Sequence, residues 1–279
     1  MNRKRTVLIT GGSKGIGQAI AYRFAAAGAN VVIATKDSPA QMKETEDGIT
    51  AAGGRGLVCD VDVQSCDELE ALVQKTIAHF GGIDVLINNT SAPCFKDVLH
   101  TSPEQFDLIM ATSVRAAFFL SKACFPHLQK SENPHIINIA PPLNLEEQWL
   151  IDHLSFSLGK FGMSLCTRGM AASFRKAGIA VNALWPRATI ATSSLKEHLL
   201  PEVYAGSRHP SIMADAAYAL SLRAAGESTG KFFIDEMLLR EEGVTDFSHY
   251  SVNPGHPLVQ TLFLPLEPGM IPISRELFR

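Results

Sequence analysis

Cysteine is scarce in this chain and shows no pairing pattern. Cys59, Cys66, Cys94, Cys124 and Cys166 are odd in number, scattered, and form no CxxC. That argues against a disulfide framework and predicts free thiols in a reducing, cytoplasmic compartment. Long apolar runs are missing as well, so no segment is expected to span a bilayer. The basic start, Met1 to Arg5, is followed by an apolar run of only Val7 to Ile9, too short for a signal peptide. An excess of positive charge is absent. The 25 Lys+Arg against 28 Asp+Glu leave a net charge of −3, which argues against a nucleic-acid protein built on a basic face. There are no repeats and no low-complexity tracts. The histidines show no metal-ligand spacing, and no Ser-His-Asp constellation stands out. The closing residues, Glu276-Leu277-Phe278-Arg279, match no peroxisomal or retention signal.

What is present is an apolar chain of 279 residues, 46% hydrophobic, long enough for one large α/β domain with a sizeable core. Short apolar runs alternate with amphipathic ones. Strands are predicted at Thr6–Thr10, Asn30–Ala34, Arg55–Cys59, Ile83–Asn88, His135–Ala140, Ile179–Trp185 and Lys231–Ile234. Helices are predicted from Ile16 to Ala27, around Glu44 to Ala52, and over Asp67–Phe80, Glu104–Leu128, Asp152–Ala177 and Ser211–Ala224. Strands apolar on both faces fit a parallel sheet covered by helices. The fold class is therefore a single doubly wound (Rossmann) α/β domain, with a mainly parallel seven-stranded sheet and helices on both faces. The boundary is placed at residue 236. Residues 237–279 hold five prolines between Pro254 and Pro272 and little periodicity, and are read as an extended arm packed on the domain or on a neighbouring subunit.

After the first strand comes Gly11-Gly12-Ser13-Lys14-Gly15-Ile16-Gly17. The glycines permit a tight turn and close approach of backbone to a pyrophosphate. The following helix offers free N–H groups and a positive dipole end. The spacing is GxxxGxG instead of GxGxxG, but its place between a first strand and a first helix gives it weight. About 20 residues on, where an acidic residue would read a ribose diol, stand Ala34-Thr35-Lys36. Lys36 and Lys14 suit a 2′-phosphate, so NADP(H) is expected over NAD(H). The alternative for each lysine alone is an ordinary solvated charge, and for Lys14 the two readings are nearly even.

With these residues placed, the chain resembles the short-chain dehydrogenase/reductase family over roughly Arg5 to Phe233. Gly81-Gly82-Ile83-Asp84, Asn138-Ile139-Ala140-Pro141-Pro142-Leu143-Asn144, Asn182-Ala183-Leu184-Trp185-Pro186 and the tail through Asn253-Pro254-Gly255-His256-Pro257 narrow the likeness to the hydroxysteroid dehydrogenase-like branch, type two. Some members of that branch carry a sterol-carrier domain, which is not expected in this chain. The resemblance implies that Asp62 and Val63 contact the adenine and that Asn89, of the Asn88-Asn89 pair, lies under its ribose. It further implies that Lys160 bonds the nicotinamide ribose, with Pro186, Ile190 and Thr192 near the carboxamide. Thr90, Ser91 and Arg187 depart from the family pattern and are expected to put bulk beside the cofactor.

The catalytic positions depart further. The family pairs a Tyr with a Lys four residues on, one helical turn apart on one face. The phenol exchanges a proton with the substrate oxygen, and the lysine and oxidised cofactor lower its pKa. Here the motif reads Phe156-Ser157-Leu158-Gly159-Lys160. The family's serine aligns with Pro141 and its asparagine with Ser113, so Lys160 alone of the four remains. A positioned general acid contributes roughly 10²–10⁴ in rate and an oxyanion donor about 10²–10³. The resulting expectation is an NADP(H)-binding protein whose family chemistry is weak or lost.

The alternative is a working NADPH-dependent carbonyl or alcohol oxidoreductase with a substitute proton donor. Candidates are His153, Tyr204, or a water held by Lys160. A third reading is an interaction module with an empty pocket. An active enzyme is expected to take a small, apolar carbonyl or hydroxyl substrate in a pocket from Cys94–Leu99, Pro141–Leu150 and Leu195–Arg208. The resemblance also implies a homodimer or homotetramer, because the family pairs its two long helices across subunits. Here those helices carry apolar faces around Phe118–Leu120 and Phe161–Leu165, about half of which must instead face the chain's own sheet.

Overall fold

A computed structural model describes residues 3–278. Met1, Asn2 and Arg279, which belong to the basic start and the closing residues considered above, lie outside them. Seven strands form one sheet: β1 (Thr6–Thr10), β2 (Asn30–Thr35), β3 (Arg55–Asp60), β4 (Val85–Asn88), β5 (His135–Ile139), β6 (Ala180–Trp185) and β7 (Phe232–Ile234). Their order is β3-β2-β1-β4-β5-β6-β7, and every pairing is parallel. This is the doubly wound sheet that the alternation of elements predicts. The order reverses between β1 and β4, which opens a crevice at their carboxyl ends.

The helices are α1 (Gly15–Ala26), α2 (Pro39–Ala51), α3 (Cys66–Phe80), α4 (Pro103–Met110), α5 (Ala116–Leu128), α6 (Leu154–Phe174), α7 (Ser193–His198), α8 (Pro201–Ala205), α9 (Ser211–Leu222) and α10 (Asp235–Glu241). Side chains of β1 alternate between two cores, as a period of two requires. Val7 and Ile9 pack with Ile20 and Phe24 of α1 and Ile212 and Leu220 of α9. Leu8 packs on the other face with Leu69 and Leu72 of α3 and Leu120 of α5.

Several elements differ from the sequence pattern. Helix α2 begins before Glu44, because Ser38 accepts a hydrogen bond from the Gln41 amide and Pro39 suits the first helical position. The long helix predicted from Glu104 is α4 and α5 joined by a π-helical turn, Ala111–Arg115, in which Ser113 sits. Together they run from Pro103 to Leu128. Contrary to expectation, this segment is long and apolar enough to cross a membrane by length and composition. Its buried residues Ala116, Leu120, Cys124 and Leu128 nevertheless fill the core, and a core helix passes the same test. Helices α7, α8 and α10 had no strong periodic signal. The last of them spans the boundary drawn at residue 236.

The segment after α10 contributes to the first core. Leu262, Phe263 and Leu264 are buried in it, Phe263 completely so, while Val259 is buried in a smaller cluster with Leu199 and Val203. Phe263 has φ of 72°, a left-handed conformation that costs a bulky residue roughly 1–3 kcal/mol. Its ring lies 6.0 Å from Trp149, 6.1 Å from Phe156, 5.0 Å from Phe161 and 5.9 Å from Trp185. Those contacts offset the backbone strain by burying five large apolar groups together.

Candidate functional site

The crevice between β1 and β4 opens into a cleft of about 570 Å³, within the size range of small-molecule sites. Gly11, Ser13, Lys14, Gly15 and Ile16 line one end. Gly11 takes φ of 65°, and a Cβ there would come within 2.8 Å of the Thr90 hydroxyl. Gly17 is not a wall of the cleft. A Cβ on it would meet the Gly11 carbonyl at 2.3 Å, so this glycine lets α1 pack against the loop. Asn89 fixes the loop from the other side, its amide donating to the carbonyls of Thr10 and Gly11, each at 3.0 Å.

Lys36, Asp62, Val63, Asn89, Pro186, Ile190 and Thr192 also line the cleft, so the structure brings these expected binding residues together. Asp62 accepts from the Gln64 amide at 2.9 Å. Thr192 accepts from the Leu195 amide and starts α7. Thr90 and Ser91 are cleft residues as well. Arg187 is not, which corrects the expectation that it crowds the cofactor. Its guanidinium turns to Glu236 at 3.0 Å and Glu267 at 2.5 Å, and Glu236 also holds Arg208 at 2.7 Å.

One residue escaped sequence reasoning. Asp37 lies one position past Lys36 and 24 past Ser13, and it lines the cleft. Its carboxylate accepts from the Ser13 hydroxyl and, at 2.8 Å, from Thr35, and it pairs with Lys14 at 3.3 Å. Burial acts to raise its pKa, but the two hydroxyls and the lysine outweigh burial and hold it below the ordinary carboxylate value. Lys36 in turn faces Asp60 at 3.6 Å. Both lysines expected to take a 2′-phosphate therefore already face carboxylates. Reading one residue beyond Lys36, two past the end of β2, supplies the missing signal.

The other end of the cleft is aromatic and apolar, lined by Phe95, Leu108, Phe156, Leu199, Leu262, Ile273 and Phe278. Lys160 lies between the two ends, 3% exposed, and its ammonium donates to the Ile139 carbonyl at 2.9 Å. The Trp185 and Phe156 rings are 5.4 and 6.0 Å from Nζ, at the outer limit of cation–π attraction. Burial without a carboxylate partner lowers its pKa to about 7. Phe156 packs its ring against Phe95 at 5.3 Å. Pro141 and Ser113 do not line the cleft. The Pro141 carbonyl accepts from Ser164 at 2.6 Å, and Ser113 is buried against Gly159.

The Pro141–Leu150 stretch, expected to line the substrate pocket, gives way to Thr261, Leu262, Ile273 and Phe278 of the C-terminal segment. Tyr204 stays outside, with its ring 4.3 Å from Lys196 Nζ. His153 is buried with neither ring nitrogen hydrogen-bonded among the described residues.

Residues 5–200 match the family model described as short chain dehydrogenase. The chain is 44% identical over 272 residues to hydroxysteroid dehydrogenase-like protein 2 of Bos taurus, covering 95% of this chain and 65% of that protein. It thus spans somewhat less than two thirds of that relative's length. A putative dehydrogenase from Xanthomonas campestris is 43% identical and superposes with a TM-score of 0.90, covering 94% of this chain and 98% of that one. A short chain dehydrogenase from Mycobacterium thermoresistibile is 37% identical with a TM-score of 0.88, covering 97% and 99%.

Proposed function

Because the chain belongs to the short-chain dehydrogenase family, whose members bind a nicotinamide cofactor and act on small molecules, we propose that it binds the cofactor while its family proton-transfer route is weak or lost. The residues fit a dinucleotide. Glycine backbone faces the cleft at the start of α1, and a side chain at Gly11 would fill the approach to it. Gly11, Ser13, Lys14, Gly15 and Ile16 would hold the pyrophosphate end. Asp62, Val63 and Asn89 would hold the adenosine, and Lys160, Pro186, Ile190 and Thr192 the nicotinamide end. When bound, the cofactor supplies or accepts a hydride.

The observation that carries the proposal is the Phe156 ring beside Lys160. No phenol stands there, and no side chain from Pro141 or Ser113 enters the cleft to replace the family's donors. Lys160 is directed to a backbone carbonyl, not to an acid that it could activate. A second reading, an active carbonyl or alcohol oxidoreductase, draws on the same lysine. With its pKa near 7 it exchanges a proton at neutral pH, directly or through a held water.

The cofactor choice rests on two opposing features. Lys14 and Lys36 support NADP(H). Asp37 favours NAD(H), because an ionised carboxylate at the end of β2 accepts from ribose hydroxyls and repels a 2′-phosphate. The apolar end of the cleft supports a small, mostly apolar carbonyl or hydroxyl substrate. Residues 237–279 are proposed as an arm that completes that end. Phe118 and Leu165 are exposed, whereas Leu120 and Met163 are buried, so only part of each apolar stripe is free for a homodimer or homotetramer contact. The test is calorimetric titration with NADPH and, separately, NADH. Micromolar binding of either supports the proposal, and binding of neither overturns it.

A further inference from the structure

His153 stands at the start of α6, three residues before Phe156, yet its side chain makes no capping bond. It is 3% exposed, and both Nδ1 and Nε2 lack a hydrogen-bond partner among the described residues. Four rings surround it: Phe263 at 5.9 Å, Phe95 and Phe278 at 6.4 Å, and Phe156 at 6.5 Å. Three of these, Phe95, Phe156 and Phe278, are themselves walls of the apolar end of the cleft. His153 therefore lies one ring behind that wall. Burial pushes its pKa down to about 4, with Asp152 opposing but not reversing the shift, so the imidazole is neutral at neutral pH.

A neutral imidazole has one N–H to donate and one lone pair to accept with. Leaving such a group unpaired in an apolar surrounding costs about 1–3 kcal/mol. Packing alone would be served better by phenylalanine or leucine. A second unpaired donor lies close by: Trp149 Nε1 is buried without a partner among the described residues, and its ring is 6.0 Å from Phe263. Unsatisfied polar atoms thus collect behind the apolar end of the cleft, where a substrate would sit.

We infer that His153 is the recognition element for a ligand with an apolar body and one uncharged hydroxyl or carbonyl oxygen. That oxygen becomes the partner of the imidazole N–H when a neighbouring ring turns aside. Phe278 is the ring placed to do so. It lies in the C-terminal segment, partly exposed, and is held by a bridge to Leu199 and by the Leu200 amide donating to the Leu277 carbonyl at 2.9 Å. A carboxylate is not expected to seat against His153, since four rings and a neutral imidazole cannot repay the hydration lost by a buried anion. The assignment rests on reading the apolar end of the cleft as a substrate site.

The experiment compares binding of 2-acetylnaphthalene, its oxygen-free isostere 2-isopropenylnaphthalene, and 2-naphthoate to the full chain, with and without NADH or NADPH. The wild type is expected to prefer the ketone over the isostere by roughly five- to tenfold and over 2-naphthoate by more. His153→Phe should erase the preference for the ketone while keeping Tm equal or higher. His153→Asn, which retains a donor and an acceptor, should keep part of it. Equal binding of ketone and isostere by the wild type, no binding of any of the three, or an undiminished preference in His153→Phe would overturn the assignment. A lowered Tm in His153→Phe would do so as well, by assigning the histidine a structural partner. Discrimination between probes without dinucleotide binding leaves this inference standing and ends the cofactor proposal. Dinucleotide binding without discrimination does the reverse.

Discussion

The two ends of the cleft are built by opposite rules. At the dinucleotide end the polar groups are mostly paired: Ser13, Thr35, Asp37 and Lys14 satisfy one another, and Asn89 ties the glycine loop to β4. At the apolar end aromatic rings dominate, and the polar atoms behind them, on Trp149 and His153, have no partners among the described residues, whereas at the dinucleotide end the Thr90 hydroxyl is the unpartnered cleft atom among them. A paired network is rigid without a ligand and needs only to be approached. An unpaired group records a partner that the fold does not itself supply. On the function proposed above, the paired end would hold the dinucleotide and the apolar end would leave substrate recognition to a few buried atoms.

The strongest way to break this comparison is to give the apolar end what it lacks. Phe156→Tyr places a phenol in the cleft a turn from Lys160. Single-turnover oxidation of NADH or NADPH with 2-acetylnaphthalene is expected to accelerate about 10²–10⁴-fold. No acceleration would mean that the replaced positions at Pro141 and Ser113 matter as much as the phenol. Damaging the other end should be nearly as severe. Gly17→Val drives a side chain into the Gly11 carbonyl, so calorimetry should show no dinucleotide binding, and urea titration a loss of ~1–3 kcal/mol in stability.

Smaller changes sharpen the contrast. Asp37→Ser removes the carboxylate from between Lys14 and the ribose site, and should shift the NADPH-to-NADH affinity ratio toward NADPH by about tenfold. The last effect is on stability against pH. The folded chain holds Lys160 near a pKa of 7, whereas an unfolded lysine titrates near ~10.4. Between those values the unfolded chain binds more protons, so this residue makes stability rise with pH across that window and contributes no slope below it. Lys160→Met should flatten the rise, as read from urea midpoints at about pH 7 and about pH 10.

The sequence disclosed the dinucleotide end better than the apolar end, for a physical reason. Gly11 to Gly17 join one strand to the next helix, and Phe156 and Lys160 share one helical turn, so both signals are local. Asp37 was equally local and was missed only because the reading stopped at the strand end. The Thr261–Phe278 segment was illegible in a different way. Its residues reach Phe95 and Phe156 from more than a hundred positions away and carry no periodicity, so nothing in the pattern predicts where they pack. The direction of Arg187 was hidden likewise, because its partner Glu267 lies 80 residues on. Sequence periodicity reports which face of an element is buried, but not which distant loop covers the end of a sheet.

Phe263 has a consequence for how the chain is made. It is one of the largest fully buried side chains, and it fills the space beneath Phe156, Phe161 and Trp185. A ribosome delivers all seven strands before residue 263 emerges, since β7 ends at Ile234. Until residue 263 is made, the hollow beneath Phe156 and Phe161 of α6 lacks the ring that fills it. The apolar end therefore closes only once residues 261–278 have been made and have folded back, whereas every residue of the glycine loop is made long before them.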